Sequence, residues 1–165
     1  VRAGLISRIS EINFDIFKEK LLAPLEHVVI AKMDTRIRDY IYKTRHPLIA
    51  KMVFKEVLKD PEERAKQLVR MIRYLNLSYQ ADETAFFHLI KGRTIADMFA
   101  DRRLGDQIFK VALEIGTMES YIEHQKAIFE LNHSDGSLVK AVESIKKAEK
   151  LVKFYTIKCL HNKYL

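Results

Sequence analysis

Cysteine occurs once in the 165 residues, tryptophan not at all, proline three times and glycine five times. A lone Cys159 excludes an internal disulfide and a cysteine zinc cluster, and it fits a reducing, cytoplasmic compartment. So little glycine and proline leaves scant material for long loops. No apolar run approaches the roughly 20 residues that cross a bilayer, so no membrane span is expected. Chemistry-bearing motifs are equally scarce. Gly-x-Ser-x-Gly and His-Glu-x-x-His are both absent, and Ser78 and Ser120 have no base nearby in sequence. Lys91-Gly92-Arg93-Thr94 is the one neighbourhood with a phosphate-loop flavour, but it lacks the preceding strand and the second glycine. None of His27, His46, His88, His124, His133 and His161 has the paired spacing and third ligand of a metal site. They read as isolated turn or helix-surface residues, with His46 in Arg45-His46-Pro47 suited to a structural hydrogen bond. Cys159, beside Ile157 and Leu160, reads as a packed thiol. No catalytic residue, metal or cofactor is therefore predicted.

The chain does have apolar and charged residues in a globular proportion, 48% and 31%, enough for one domain or a pair of small ones. Its net charge of +7 admits an anionic partner: nucleic acid, an acidic protein or a membrane surface. Much of the lysine sits with acids at helical spacing, as in Glu62, Glu63, Lys66 and Glu143, Lys146, Lys147, which is how an ordinary solvated face looks. A start at Val1 without methionine or signal pattern suggests a piece of something longer.

Residues 1–12 give no clear pattern. Asn13 caps a short helix, FDIFKEKLL, that stops at Pro24. Val28, Val29, Ile30 and Met33, then Asp34-Thr35-Arg36, then Ile37, Tyr40, Ile41 and Tyr42 predict a β-hairpin near 27–43, with helix as the competing reading. From Thr44 everything is helical. Pro47 opens a helix whose buried stripe would be Leu48, Ile49, Met52, Val53, Val57 and Leu58. Asp60-Pro61-Glu62-Glu63 starts the next, with Ala65, Leu68, Val69, Ile72 and Leu75 inward and Glu63 closing a capping box. Asp82 would cap a third helix ending at Gly92; Thr94–Ala100 would be a fourth, and Asp101 or Asp106 would open a fifth that Gly116 closes. Residues 120–154 read as a helical hairpin around which the rest is organised. Its first helix carries Tyr121, Ile122, Gln125, Ile128, Phe129 and Leu131, and residues 132–136 break it. The second carries Leu138, Ala141, Val142, Ile145, Ala148, Leu151 and Val152. The predicted fold is all-α, antiparallel hairpins packed between sequential neighbours, with one small β-hairpin and a domain boundary at 43/44.

Gly136, Leu138, Ala141, Ile145 and Ala148 have the second-helix spacing of a tetratricopeptide repeat, with no second copy in register. Together with TRHPLIAKMVF at 44–54 and YIEHQKAIFELNHSDGSLVKAVESIKKAEKL at 121–151, this resembles segments of bacterial STAND ATPases, the signal-transduction ATPases of antiphage defence. The resemblance implies that residues 1–43 hold the end of a winged-helix segment and that 44–165 open a tetratricopeptide-like sensor region. Any ATPase or effector chemistry would then lie elsewhere. The tail FYTIKCLHNKYL departs from the pattern, lacking its proline and the next repeat.

Two functional expectations follow. A non-enzymatic interaction and sensor module would bind a protein partner, or other domains of its own chain, through Phe86, Phe87, Tyr121 and Phe129. A winged-helix-type DNA-binding module would instead hold a duplex through Arg36, Arg38, Lys43 and Arg45, with Tyr40 and Tyr42 interleaved. A weaker third is a bundle lying on an anionic membrane through Lys146, Lys147, Lys150, Lys153, Lys158 and Lys163.

Overall fold

The computed structural model describes residues 1–36, 38–115 and 118–161, with side chains as far as Lys153 in the last helix. Gly116, Ile37 and the side chain of Cys159 lie outside the described residues, and so do the expectations placed on them. Among the described residues the order is α1 (Ala3–Ser10), α2 (Phe14–Ile16), a π-helical turn (Phe17–Leu22) and a 3-10 turn (Ala23–Leu25). There follow β1 (Val29–Asp34), β2 (Asp39–Thr44), α3 (Pro47–Val57), α4 (Pro61–Tyr74), α5 (Gln80–Leu89), α6 (Gly92–Met98), α7 (Arg102–Glu114), α8 (Glu119–Asn132) and α9 (Leu138–His161). The mostly helical fold with one small antiparallel hairpin is as the sequence predicts.

Polar residues at helix starts satisfy backbone N–H groups that have no partner inside the helix. Asn13 Oδ1 accepts from Asp15 N–H at 2.8 Å, Asp60 Oδ1 from Glu62 at 3.1 Å and Asp101 Oδ1 from Arg103 at 2.9 Å. His46 does the same with Nδ1, which accepts from Leu48 N–H at 3.2 Å while Pro47 occupies the first helical position. Glu63 accepts from Gln67 Nε2 one turn on.

Two compact units result, Val1–His88 and Leu89–Leu165, and the domain boundary expected at 43/44 falls inside the first of them. In the first unit the hairpin pairs Val29 with Thr44 through to Asp34 with Asp39. Its β2 strand packs on α1 and α3, and α1 packs on α4. Residues 1–12, unreadable in the sequence, thus form a core element: Ala3 and Leu5 are buried against their surroundings. On α4, Ala65, Leu68, Val69 and Ile72 are buried as predicted. The stripe expected on α3 is not. Leu48, Ile49, Met52, Val53 and Val57 all face solvent, Val57 with 72% of its surface exposed.

A buried ion pair ties the first unit together. Arg2, 5% exposed, donates from Nε to Asp82 Oδ1 at 2.8 Å and from Nη2 to Asp82 Oδ2 at 2.7 Å; Asp82 is 1% exposed. Arg2 Nη1 reaches Asp39 Oδ2 at 3.2 Å and the guanidinium lies 3.8 Å over the Tyr79 ring. Asp82 is therefore no helix cap, since α5 begins at Gln80 and the carboxylate also accepts from Asn76 N–H at 3.0 Å.

In the second unit α6 and α7 both pack on α8, and α9 packs along α8. The expected sequential pairing holds for α7, α8 and α9, but α6 reaches past α7 to lie mainly on α8, just as α1 reaches α4. Gly92 explains the closest approach. It opens α6 instead of ending α5, and a Cβ there would collide with the Gln125 carbonyl oxygen and sit 2.7 Å from Phe129 N. Its N–H donates to Gln125 Oε1 at 3.0 Å. At Gly105 of α7 a Cβ would lie 2.5 Å from the Phe129 ring.

Candidate interaction surface

His133, at the end of α8, is buried: its Nε2 bonds the Phe99 carbonyl at 3.0 Å and its Nδ1 accepts from Asp135 N–H at 3.0 Å. It locks the α8–α9 turn. Arg102 closes on Glu130, whose other oxygen accepts from Ser137 N–H at 2.9 Å, so both ends of that turn are pinned. Because residue 130 meets 137 while Tyr121 shares a groove with Val152, the two helices run antiparallel.

The four aromatic candidates separate. Phe86 and Phe129 are fully buried, which removes them as surface anchors: Phe129 packs on Phe109, with ring centroids 5.5 Å apart, and on His133. Phe87 and Tyr121 remain half-buried at the surface, and burial raises the Tyr121 hydroxyl above its ordinary pKa. Aromatic side chains are the largest apolar payload in a helix, so a core takes them first.

The basic candidates are all exposed. Arg36 N–H donates to Asp34 Oδ1 at 3.0 Å, and its guanidinium lies 3.5 Å from the same carboxylate. Arg45 Nη2 donates to the Glu26 carbonyl at 3.3 Å. Arg38 takes a left-handed backbone, φ 49°, at the turn. Lys43 does not share a face with the tyrosines, because side chains alternate along a strand. Tyr40 and Tyr42 lie over Phe14 and Phe17, with Tyr42 buried. Of the two tyrosines between those cations only Tyr40, 39% exposed, shows its ring at the surface.

A trough of about 600 Å³ lies between α7, α8 and α9, lined by Lys110, Lys126 and Lys147 and by Asp106 and Glu143. Its charges alternate in sign, so it carries no strong field of one kind. Among the described residues no three His, Cys, Asp or Glu side chains gather as a metal ion requires, and no helix is long and apolar enough to cross a membrane.

The apolar surface was missed by sequence reasoning. On α9 the side chains buried against α8 are the small ones, Ala141, Ser144 and Ala148. Leu138, Val142, Ile145 and Val152 lie on the adjoining line and are exposed, Leu138 by 70% and Ile145 by 36%. On α8 Leu131 is likewise exposed. A groove of about 700 Å³ runs between the helices, lined by Tyr121, His124, Ile145, Ala148 and Val152 together with the charged Glu149 and Lys153. The signal lay in the width of the apolar arc: one neighbouring helix covers only a narrow stripe, and seven apolar residues spread over more than that. No family model, curated protein or solved structure matches the chain.

Proposed function

We propose that this chain is a non-enzymatic helical interaction and sensor module of a larger STAND-type ATPase, acting in bacterial antiphage defence in the cytoplasm. Residues 13–43 would end its winged-helix segment and 44–165 would open its sensor region, with tetratricopeptide-like packing centred on the α8–α9 hairpin. The observation that carries the reading is apolar helix surface left in solvent: Leu48, Met52, Val53 and Val57 on α3, and Leu138, Val142, Ile145 and Val152 on α9. Contiguous apolar surface of this kind is kept where another chain or domain covers it. A photo-cross-linking side chain at Val53 or Val142, in the protein's own cell, should give a discrete protein adduct that Met52→Asp or Ile145→Asp removes. No adduct from either position would defeat the reading.

Exposure of Arg36, Arg38, Lys43 and Arg45 supports a second reading, duplex DNA binding. Four phosphate contacts would give a log-log salt dependence with a slope of about −3 to −4. The sensor reading expects almost no affinity at any salt concentration.

A further inference from the structure

We infer that the trough between α7, α8 and α9 binds a small phosphate monoester whose carbon skeleton bears hydroxyl groups, as in a sugar phosphate or a nucleoside monophosphate. The site is separate from the apolar interaction surface. Folded proteins pair nearly all their buried polar atoms, and an unpaired one marks a place where water, an ion or a ligand belongs. Among the described residues two buried side-chain atoms have no hydrogen-bond partner, Arg102 Nε and Glu123 Oε2. Arg102 lines the trough. Glu123, 7% exposed, stands three and seven positions before the lining residues Lys126 and Glu130, on the same line of α8. Glu130 and Ser137 are bonded across the antiparallel pair. Ser144, seven positions on along α9, therefore comes level with Glu123, seven positions back along α8. It is 3% exposed, lines the trough, and its hydroxyl bonds no other described residue.

Charge decides the class of ligand. Asp106 and Glu130 both lie against Arg102, Asp106 at 3.7 Å. Lys110, Lys126, Lys140 and Lys147 come from all three helices and have no ion pair among the described residues. Signs alternate along the walls, but these unpaired lysines outnumber Glu123 and Glu143. A phosphate monoester, with a charge of about −1.5 to −2 at neutral pH and three acceptor oxygens, takes the lysines and the Ser144 hydroxyl. A bare anion would leave Glu123 unmet; a hydroxyl on the same ligand donates to its Oε2 and removes that cost. The volume, about 600 Å³, suits a small molecule rather than a single ion.

Calorimetric titration of the full chain with AMP, glucose-6-phosphate, inorganic phosphate, adenosine and glucose tests the site. At least one ester should bind with a Kd below about 1 mM and about tenfold or more tightly than inorganic phosphate, while its parent adenosine or glucose should not bind. Which ester binds separates a nucleotide from a sugar phosphate. Lys126→Met with Lys147→Met should weaken binding at least about tenfold. Lys146→Met with Lys150→Met makes the same charge change on the other side of α9 and should leave binding unchanged. Glu123→Gln should narrow the gap between the ester and inorganic phosphate, which a purely structural glutamate would not do. Circular dichroism of each variant should match the parent; where Glu123→Gln does not fold, the two lysine pairs decide. The proposal is overturned if neither ester binds below about 1 mM, if neither outbinds inorganic phosphate, or if the Lys146 and Lys150 change weakens binding as much as the trough pair. A folded Glu123→Gln with an unchanged gap overturns the hydroxyl contact. Binding of putrescine in place of the esters overturns the assignment too, because the trough would then act as a cation site.

Discussion

In Val1–His88 Arg2, at the start of α1, is joined to α5 and the hairpin by buried and half-buried carboxylates, and the hairpin tyrosines lie against Phe14 and Phe17. In Leu89–Leu165 helices meet through residues with almost no side chain: Gly92, Gly105, Ala141, Ser144 and Ala148. The first solution is directional and electrostatic, so its strength depends on both partners being present and charged. The second is steric and dispersive at these contacts, which do not tolerate an added methyl group, while charge enters that unit at the Arg102–Glu130 pair beside the α8–α9 turn.

The largest effect should come from breaking the pair on one side only. Asp82→Ala removes the two-pronged partner of the buried Arg2 guanidinium and leaves it only the single contact to Asp39, which should cost about 3 kcal/mol, read by denaturant unfolding, with faster amide exchange in α1 and α5. Replacing both partners, Arg2→Met with Asp82→Leu, should cost far less than the single change. A double variant as damaged as the single one would show that shape, not charge, holds this unit.

Next in size is Gly92→Ala. The colliding atoms belong to the α8 backbone, which cannot swing aside, so about 1–3 kcal/mol should be lost and exchange in α6 and α8 should quicken. Full stability in that variant would mean that α6 slides at no cost.

Acid should then separate the units. Burial pushes the Asp82 carboxyl up, but the Arg2 hydrogen bonds, the Asn76 N–H and the charges of Arg2 and Arg8 outweigh it and hold the group below its ordinary pKa. A depressed carboxylate contributes stability that is present above the unfolded value, near 4, and lost as pH falls through the folded one. Amides of α1 and α4 should therefore lose protection on acidification, and Asp82→Asn should remove that dependence, leaving a less stable unit. No steeper loss in α1 than in α8 would count against this.

The smallest effect is expected at Val53→Ser on α3: within about 0.5 kcal/mol of the parent by thermal unfolding, since an exposed valine contributes little to the fold. A cost near 2 kcal/mol would mean that α3 is covered in solution.

Asn13, Asp60, Asp101 and Pro47 could be read as helix starts because capping is local: the residue and the N–H groups it serves lie within three positions. The hairpin was legible for a similar reason, apolar runs flanking a polar turn. Glycine was read with the wrong partner at Gly92, where local chemistry suggests a helix end but a neighbour over thirty positions away decides. Of the candidate contacts, the charges of Arg36, Arg38, Lys43 and Arg45 could be placed at the surface from residue type alone, whereas the fate of Phe86 and Phe129 could not.

Helix, turn and cap depend on interactions between residues a few positions apart, and those the chain specified by itself. Which apolar faces are covered depends on what comes to lie against them. Only the tertiary structure sank Phe129 under α6 and α7, brought Arg2 to a carboxylate eighty positions on, and left α3 and one line of α9 in water. Burial is a property of neighbours, and a sequence names a residue's neighbours along the chain but not across it.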